Sequence, residues 1–196
     1  SGYPKYDRSW MKKSFNFKVV NKKKNKILFP YNYNLSKYDF NDQKKIKLYL
    51  KKIIEIILNK TKYELTVKPH PRADTSYLFQ LIKKFNNKRI KVTNQHLFKL
   101  LKETKFCLFE PESSVVLDAL AMKVPPLQLF INHLIKKNID LVLYDKLGLS
   151  VNLRNFKYFE KLIQNKNRIQ AMGNKNVLNF YRYYKKNQND ALKIAN

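Results

Sequence analysis

Two loops of this chain carry side chains suited to an anion, and each follows a strand-like run. The first is "VKPHPR" (67–72), in which His70 lies between two prolines, with Lys68 and Arg72 on either side. Proline cannot donate to a sheet ladder and biases the residue before it towards extended geometry. The preceding strand is therefore predicted to stop and turn here, and its exit presents one imidazole and two cations to a phosphate-like ligand.

The second loop, "EPESS" (110–114), precedes an apolar run that is predicted to form a buried helix. Ser113 and Ser114 stand at the start of that helix, where free N–H groups and the positive end of the helix dipole favour a phosphate. Asp118 lies one turn further along the same predicted face, where a carboxylate can hold ribose hydroxyls. The two loops together therefore contain the groups needed to bind a nucleotide.

Each of these side chains also has a purely structural interpretation. His70 can close a strand end by bonding a backbone carbonyl, the serine pair can be an ordinary N-cap, and Asp118 can pair with a lysine. Glu110 and Glu112 flank a proline at a strand end, and we interpret them as solvated rather than as ligands of a base or sugar.

The elements that position these loops alternate along the chain between strand-like and helical segments. Predicted strands lie at 26–31, 63–68, 89–93, 105–110, 125–131 and 149–153. Predicted helices lie at 42–60, 75–85, 95–104, 113–123, 132–138, 155–171 and 175–194. This alternation predicts an α/β fold, a Rossmann-like parallel sheet flanked by helices. Because ligands bind outside the carboxyl ends of such strands, both loops are expected to open on one edge of the sheet.

The net charge of +27 is the most extreme feature of the composition. Only six of the 41 basic residues are arginine, the side chain best suited to phosphate and base readout, so we expect no specific nucleic-acid partner. We interpret the charge as a solvated surface first, as an aid to association with anionic lipid second, and as a nucleic-acid footprint third.

Other signals exclude several classes of protein. The single cysteine, Cys107, is predicted to be a buried thiol, and it cannot form a disulfide framework or a Cys-rich zinc site. His96 and His133 have no second ligand nearby, so no metal is expected. The absence of a Gly-rich phosphate loop argues against P-loop NTPases and dinucleotide dehydrogenases. No apolar stretch is long enough for a membrane span, and we expect no signal peptide, so a cytoplasmic location is predicted.

Two motifs resemble those of a known group of enzymes. "KPHPR" (68–72), followed by "ESSVVLDALAMKVPPL" (112–127), resembles the nucleotide-binding half of bacterial GT-B transferases for surface polymers. These include CDP-glycerol glycerophosphotransferases, polysialyltransferases and capsule polysaccharide transferases. The opening "GYPKYD" (2–7) is similar to the stretch where the glycerophosphotransferases pass from their first domain to their second. The resemblance covers roughly residues 2 to 130.

This resemblance implies roles for the residues that match. His70 would contact the donor phosphate and stabilise the leaving nucleotide, with Lys68 and Arg72 facing the phosphates. The serine pair would hydrogen-bond the phosphates, and Asp118 the ribose. The donor would be a CDP- or CMP-linked sugar or polyol, or a UDP-linked one, and no further cofactor would be required. Where the glycerophosphotransferases usually have Asp-Tyr, this chain has Pro111 and Glu112, which leaves the donor open.

The resemblance also implies a domain organisation and a location. Residues 1–24 would be an entry segment between domains, 25–175 the nucleotide-binding lobe, and 176–196 a helix crossing back to a first lobe. That N-terminal lobe would carry the acceptor site, so residues 1–196 alone would bind nucleotide without transferring anything. The whole enzyme would make a capsule, a teichoic acid-like polymer or a lipooligosaccharide on the inner face of the cell membrane.

A second function from a different class is a non-enzymatic basic module that binds nucleic acid. The segment "FYRYYKK" (180–186) mixes aromatic and cationic residues as single-strand binders do. On a helix, the same spacing more often packs the aromatic rings inward and leaves the cations in water.

Overall fold

The computed structural model describes residues 25–110, 113–129, 143–153 and 155–194. Within them, six parallel strands form one sheet in the order β3-β2-β1-β4-β5-β6. The strands are β1 (Lys26–Tyr31), β2 (Glu64–Pro69), β3 (Ile90–Val92), β4 (Thr104–Phe109), β5 (Pro126–Gln128) and β6 (Val151–Asn152). The helices are α1 (Phe40–Lys60), α2 (Ser76–Phe85), α3 (Leu97–Glu103), α4 (Val115–Ala121), α5 (Leu143–Lys146), α6 (Phe156–Gln164) and α7 (Lys166–Ile194). The predicted α/β Rossmann-like fold is confirmed.

Helices cover both faces of the sheet because alternate strand residues point to opposite sides. On β1, Ile27 and Phe29 face a core that includes side chains of α1, α2 and α6, whereas Leu28 faces α3 and α4. One stripe of α1 is apolar and buried; its members are Ile46, Leu50, Ile53 and Ile57. The apolar positions of that helix recur at the helical period, so one side packs on the sheet and the lysines remain outside.

The connection between α1 and β2 is closed by Arg89. Its guanidinium donates to the carbonyl oxygen of Thr61 at 2.6 Å, to that of Tyr63 at 3.4 Å, and to that of Leu58. The last carbonyls of a helix have no partner within the helix, and a cation there also complements the helix dipole. Arg89 therefore fixes the point from which β2 runs towards its exit loop.

The largest differences from the predicted elements lie at the C-terminal end. The helix predicted over 155–171 ends at Gln164, because Asn165 begins a new helix by accepting a hydrogen bond from the Arg168 N–H at 2.9 Å. The new helix continues through Gly173, where a break was predicted. The strand predicted over 149–153 is only Val151–Asn152 long, and α5 was not predicted. The helix predicted over 132–138 and the segment 2–7 lie outside the described residues.

The order of the strands reverses beside β1. Chain connections run outward from β1 through β2 to β3, and then return to its other side at β4. The carboxyl ends of β1 and β4 therefore diverge at a topological switch point, the place where open α/β sheets bind ligands.

Candidate functional site

Three loops meet at the carboxyl edge of the sheet, after β1, β2 and β4. The His70 N–H donates to the Tyr31 carbonyl oxygen at 2.8 Å, which ties the β2 exit to the end of β1. The Asn32 N–H donates to Glu110 Oε1 at 2.9 Å, and the Ser113 N–H donates to the Glu110 carbonyl oxygen at 3.2 Å. The two loops singled out in the sequence therefore flank the switch point, and the segment after β1 bridges them.

The imidazole of His70 is exposed and held in one orientation by its own loop. Its Nδ1 accepts a hydrogen bond from the Arg72 N–H at 3.1 Å, and the His70 carbonyl oxygen accepts from the Ala73 N–H at 2.9 Å. A neutral imidazole that accepts at Nδ1 carries its proton on Nε2. The turn therefore leaves the Nε2–H group of His70 as the donor that the ring offers to a ligand.

The two cations of this loop lie on either side of the imidazole. Lys68 is half-buried on β2, and Arg72 is exposed in the turn. Two residues beyond Arg72, the Asp74 N–H donates to the Tyr33 carbonyl oxygen at 3.0 Å, and Asp74 Oδ1 accepts from the Ser76 N–H at 3.0 Å. Its hydrogen bonds to Ser76 hold the pKa of Asp74 below its usual value. Asp74, which sequence reasoning did not select, therefore ties the C-terminal end of the His70 turn to the segment after β1 and to the start of α2.

The serine pair does not cap its helix with side chains. Ser114 has helical backbone angles, and its hydroxyl makes no capping hydrogen bond to α4. The carbonyl oxygens of Ser113 and Ser114 instead accept from the Val116 and Leu117 N–H groups at 3.2 and 3.1 Å. The interpretation of Ser114 as an ordinary side-chain N-cap is therefore wrong. The exposed hydroxyl of Ser114 lies at the edge of the sheet and does not cap α4.

Asp118 lies deeper in the structure than the other predicted site residues. Its exposed fraction is 3%, on a helix that is buried along most of its length. Burial, and after it the charge of Asp118, raises the pKa of the fully buried Cys107 thiol. Cys107 is thus the buried thiol that the sequence predicted. The ribose-binding role of Asp118 stays a prediction.

Glu110 is the feature that sequence reasoning misjudged. It was expected to be solvated, but it is half-buried and bonded to the Asn32 N–H group. Burial raises its pKa to about 8, although the hydrogen bond from Asn32 works in the opposite direction. The available signal was its position directly after the buried run 106–109, at the end of a central strand. A carboxyl with a perturbed pKa at a switch point is typical of a functional site.

Buried phenols surround this carboxyl on the side of β1. Burial raises the pKa values of Tyr31 and Tyr33, and the charge of Glu110 adds to both effects. Within the described residues, the hydroxyl groups of Tyr31 and Tyr33 have no hydrogen-bond partner. The β1 side of the site is therefore lined by buried aromatic rings, whereas His70, Arg72 and Ser114 are exposed.

The described residues contain no group of three or more His, Cys, Asp or Glu side chains placed to hold a metal ion. Nor does any helix in the described parts of the chain have both the length and the apolar character needed to cross a bilayer.

Comparison with solved structures identifies the fold. No family model matches the sequence, and no curated protein matches it either. A mutant of Staphylococcus aureus TarM in complex with fondaparinux, α-GlcNAc-glycerol and UDP is similar at 10% identity and a TM-score of 0.56, over 86% of this chain and 34% of that one. A second TarM structure gives 12% identity and a TM-score of 0.55, over 92% of this chain and 37% of that one.

A third structure matches over nearly its whole length. It is the C-terminal CMP-Kdo binding domain of WaaA from Acinetobacter baumannii, at 6% identity and a TM-score of 0.50, over 92% of this chain and 98% of that domain. The chain thus spans about a third of the TarM chains that it resembles. The expectation of a GT-B glycosyltransferase-like lobe is confirmed at the level of the fold.

Proposed function

We propose that this chain is the donor-nucleotide-binding half of a GT-B-type glycosyltransferase or polyol-phosphate transferase. The observation that carries the proposal is the junction of three loops at the switch point, which brings the His70 turn and the Ser113 loop to one edge of the sheet. Nucleotides bind at this edge in open α/β sheets. A second lobe carrying the acceptor site is part of the same proposal.

The chemistry assigned to the site is stabilisation of a leaving phosphate. In group transfer from a nucleotide donor, negative charge grows on the departing phosphate in the transition state. Donors that are already oriented towards it lower the barrier, because they need no reorganisation during the reaction. The Nε2–H group of His70 is held by the Arg72 N–H group and supplies one such donor. Lys68, Arg72 and the hydroxyls of Ser113 and Ser114 supply the remaining contacts.

The donor class follows from the same chemistry and from the named neighbours. One TarM structure contains UDP, and the WaaA domain is named for CMP-Kdo, so the neighbours support a pyrimidine nucleotide. We propose a CDP- or CMP-linked sugar or polyol, with a UDP-linked donor as the alternative. The product would be a cell-surface polysaccharide.

Calorimetry with CDP, CMP and UDP tests the proposal directly. Arg72→Gln removes a cation from the His70 turn and is expected to weaken CDP binding about tenfold, which is about 1.4 kcal/mol. Arg168→Gln is the matched control, an exposed arginine near the start of α7. That helix start lies at the opposite edge of the sheet, since Lys166 Nζ lies 5.8 Å from the ring centroid of Tyr63, just before β2.

Three results would contradict the proposal. A folded chain that binds none of these nucleotides at millimolar concentration would overturn it. Equal losses in the two arginine variants would mean that only the net charge attracts the nucleotide. Tight binding of an oligonucleotide that falls steeply with salt and ignores Arg72→Gln would favour the nucleic-acid-binding module instead.

We also propose that the chain associates with the anionic inner face of the cell membrane through the outer side of α1. Phe40, Lys44, Leu48 and Lys52 follow one another at four-residue spacing, so they lie along one stripe of the helix. Phe40 is 78% exposed and Leu48 is 67% exposed, which is unusual for large apolar side chains. Apolar side chains set among lysines fit an anionic headgroup layer, where each lysine contributes about 1 kcal/mol.

Sedimentation with vesicles of phosphatidylcholine, with and without phosphatidylglycerol, measures this association. Leu48→Ser is expected to reduce binding to the anionic vesicles several-fold. Leu178→Ser is the matched control, since Leu178 is 58% exposed on a different helix. Equal binding to both kinds of vesicle, or equal effects of the two serine variants, would contradict the proposal.

A further inference from the structure

Glu110 occupies the position that any ligand lying across the switch point must approach. Its side chain accepts the Asn32 N–H group from the loop after β1, and its carbonyl oxygen accepts the Ser113 N–H group within its own loop. The same Asn32 follows Tyr31, whose carbonyl oxygen holds the His70 N–H group. The carboxyl of Glu110 therefore stands between the two phosphate-binding loops of the proposed site.

The surroundings of Glu110 disfavour a negative charge. From β1 and the segment after it, the titratable groups that interact with Glu110 are the phenols of Tyr31, Tyr33 and Tyr38. The pKa values of all three are raised, so these phenols stay neutral near pH 8. Among the residues that the structure describes, no cation contributes to the pKa of Glu110, which burial raises to about 8. Near neutral pH the group is therefore mostly a carboxylic acid, which has an O–H to donate.

We propose that Glu110 binds a phosphate oxygen of the nucleotide as a neutral carboxylic acid, so that nucleotide binding is coupled to proton uptake. This inference rests on the function proposed above. An ionised Glu110 would place a like charge beside the phosphate, whereas the acid form removes that repulsion and donates a hydrogen bond. When the nucleotide anion binds, the Glu110 carboxylate takes up one proton from solvent. The O–H bond of Glu110 is the only covalent bond that forms, and none breaks in the nucleotide.

The size of the coupling follows from the titration of one group. With a pKa of about 8, the acid form falls from about three quarters of the molecules at pH 7.5 to about one tenth at pH 9. Affinity for the nucleotide is therefore expected to fall about eightfold over this range, with uptake of about half a proton per nucleotide at pH 8. A terminal phosphate, with a pKa of about 6, is already ionised throughout the range.

The experiment is calorimetry of CDP binding to the full chain from pH 7.5 to pH 9, in buffers of different ionisation enthalpy at constant salt. The wild-type chain is compared with Glu110→Gln, whose amide oxygen still accepts the Asn32 N–H group. Glu103→Gln is the matched control, because Glu103 lies just before β4, at the opposite end of the same strand, where it pairs with Lys26 at 2.6 Å. His70 is unchanged in all three proteins, so its contribution cancels in the comparison.

Wild type and Glu103→Gln are expected to lose affinity about eightfold and to take up protons, while Glu110→Gln shows a flatter pH profile and less proton uptake. Wild-type binding without proton uptake, or a Glu110→Gln profile that follows wild type, would overturn the inference and leave the proposed function standing. If folded wild type and Glu110→Gln both fail to bind CDP at every pH, the proposed function fails and the inference falls with it.

Discussion

Replacing Glu110 by glutamine is expected to stabilise the folded chain by an amount that depends on pH. The pKa of Glu110 is about 8, whereas that of a solvated glutamate is 4.5. Between these two values, the unfolded chain releases the proton and the folded chain retains it. The free energy of unfolding therefore falls as pH rises from 4.5 to 8, and it stops falling once the folded carboxyl has ionised as well.

The magnitude can be worked from the same pKa. A full displacement from 4.5 to 8 corresponds to about 5 kcal/mol, at about 1.4 kcal/mol for each pKa unit. At pH 8 half of the folded carboxyl has ionised, so the difference expected at that pH is about 4 kcal/mol. Glutamine cannot ionise and still offers an oxygen to the Asn32 N–H group. The stability difference between the two proteins should therefore be near zero at pH 4 and reach about 4 kcal/mol at pH 8.

Urea unfolding of both proteins at pH 4, 6 and 8 measures this difference, and the effects of all other titrating groups cancel in the subtraction. A difference that does not change with pH would refute the reasoning, because it would show that Glu110 titrates alike in the folded and unfolded states. Destabilisation by glutamine at pH 8 would also refute it, since the ionised carboxylate would then be stabilised by the fold.

Three further substitutions test other parts of the structure. His70→Asn keeps an acceptor for the Arg72 N–H group but removes the Nε2–H donor, so calorimetry should show CDP affinity reduced about tenfold or more with little change in Tm; unchanged affinity would make His70 structural. Arg89→Met leaves the carbonyls at the end of α1 without their cation, and urea unfolding should show that the free energy of unfolding falls by about 2 kcal/mol. A fall below about 0.5 kcal/mol would contradict this, because it would show that water replaces the guanidinium. Gly173→Ala places a Cβ 2.3 Å from Cγ of Pro125. It should therefore destabilise by about 2 kcal/mol, although alanine normally favours a helix by about 1 kcal/mol; a Tm at or above that of wild type would contradict this contact.

The elements that sequence reasoning located well are those determined by local pattern. The first strand was predicted at 26–31 and is Lys26–Tyr31, because its apolar side chains point alternately to the two faces of the sheet. The boundary between α6 and α7 was placed several residues too late. Asn165 indicated the true boundary, because its side-chain oxygen is suited to cap the start of a helix. The prediction instead placed the boundary at Gly173, since glycine commonly ends a helix. Gly173 remains helical because it packs against Pro125, a contact that lies 48 positions away in the sequence.

In the candidate site, too, the features set by local pattern were predictable and those set by long-range contacts were not. The sequence was sufficient to place the His70 turn and the serine pair on one edge, since parallel strands must present their carboxyl ends together. It could not show that Glu110 would be buried, because its surroundings come from Asn32 and Tyr33, far away in the chain. Burial of a charged side chain depends on tertiary contacts, and local composition around "EPESS" gives no sign of it.

The central claim is that a nucleotide binds where β1 and β4 diverge, and ¹⁵N NMR of the chain during titration with CDP tests it most directly. We expect the largest amide shifts in the three joined loops, at residues 32–34, 70–74 and 113–118, and we expect them to saturate together with one Kd. Shifts spread over the lysines of α1 and the start of α7, growing without saturation and vanishing with salt, would contradict it.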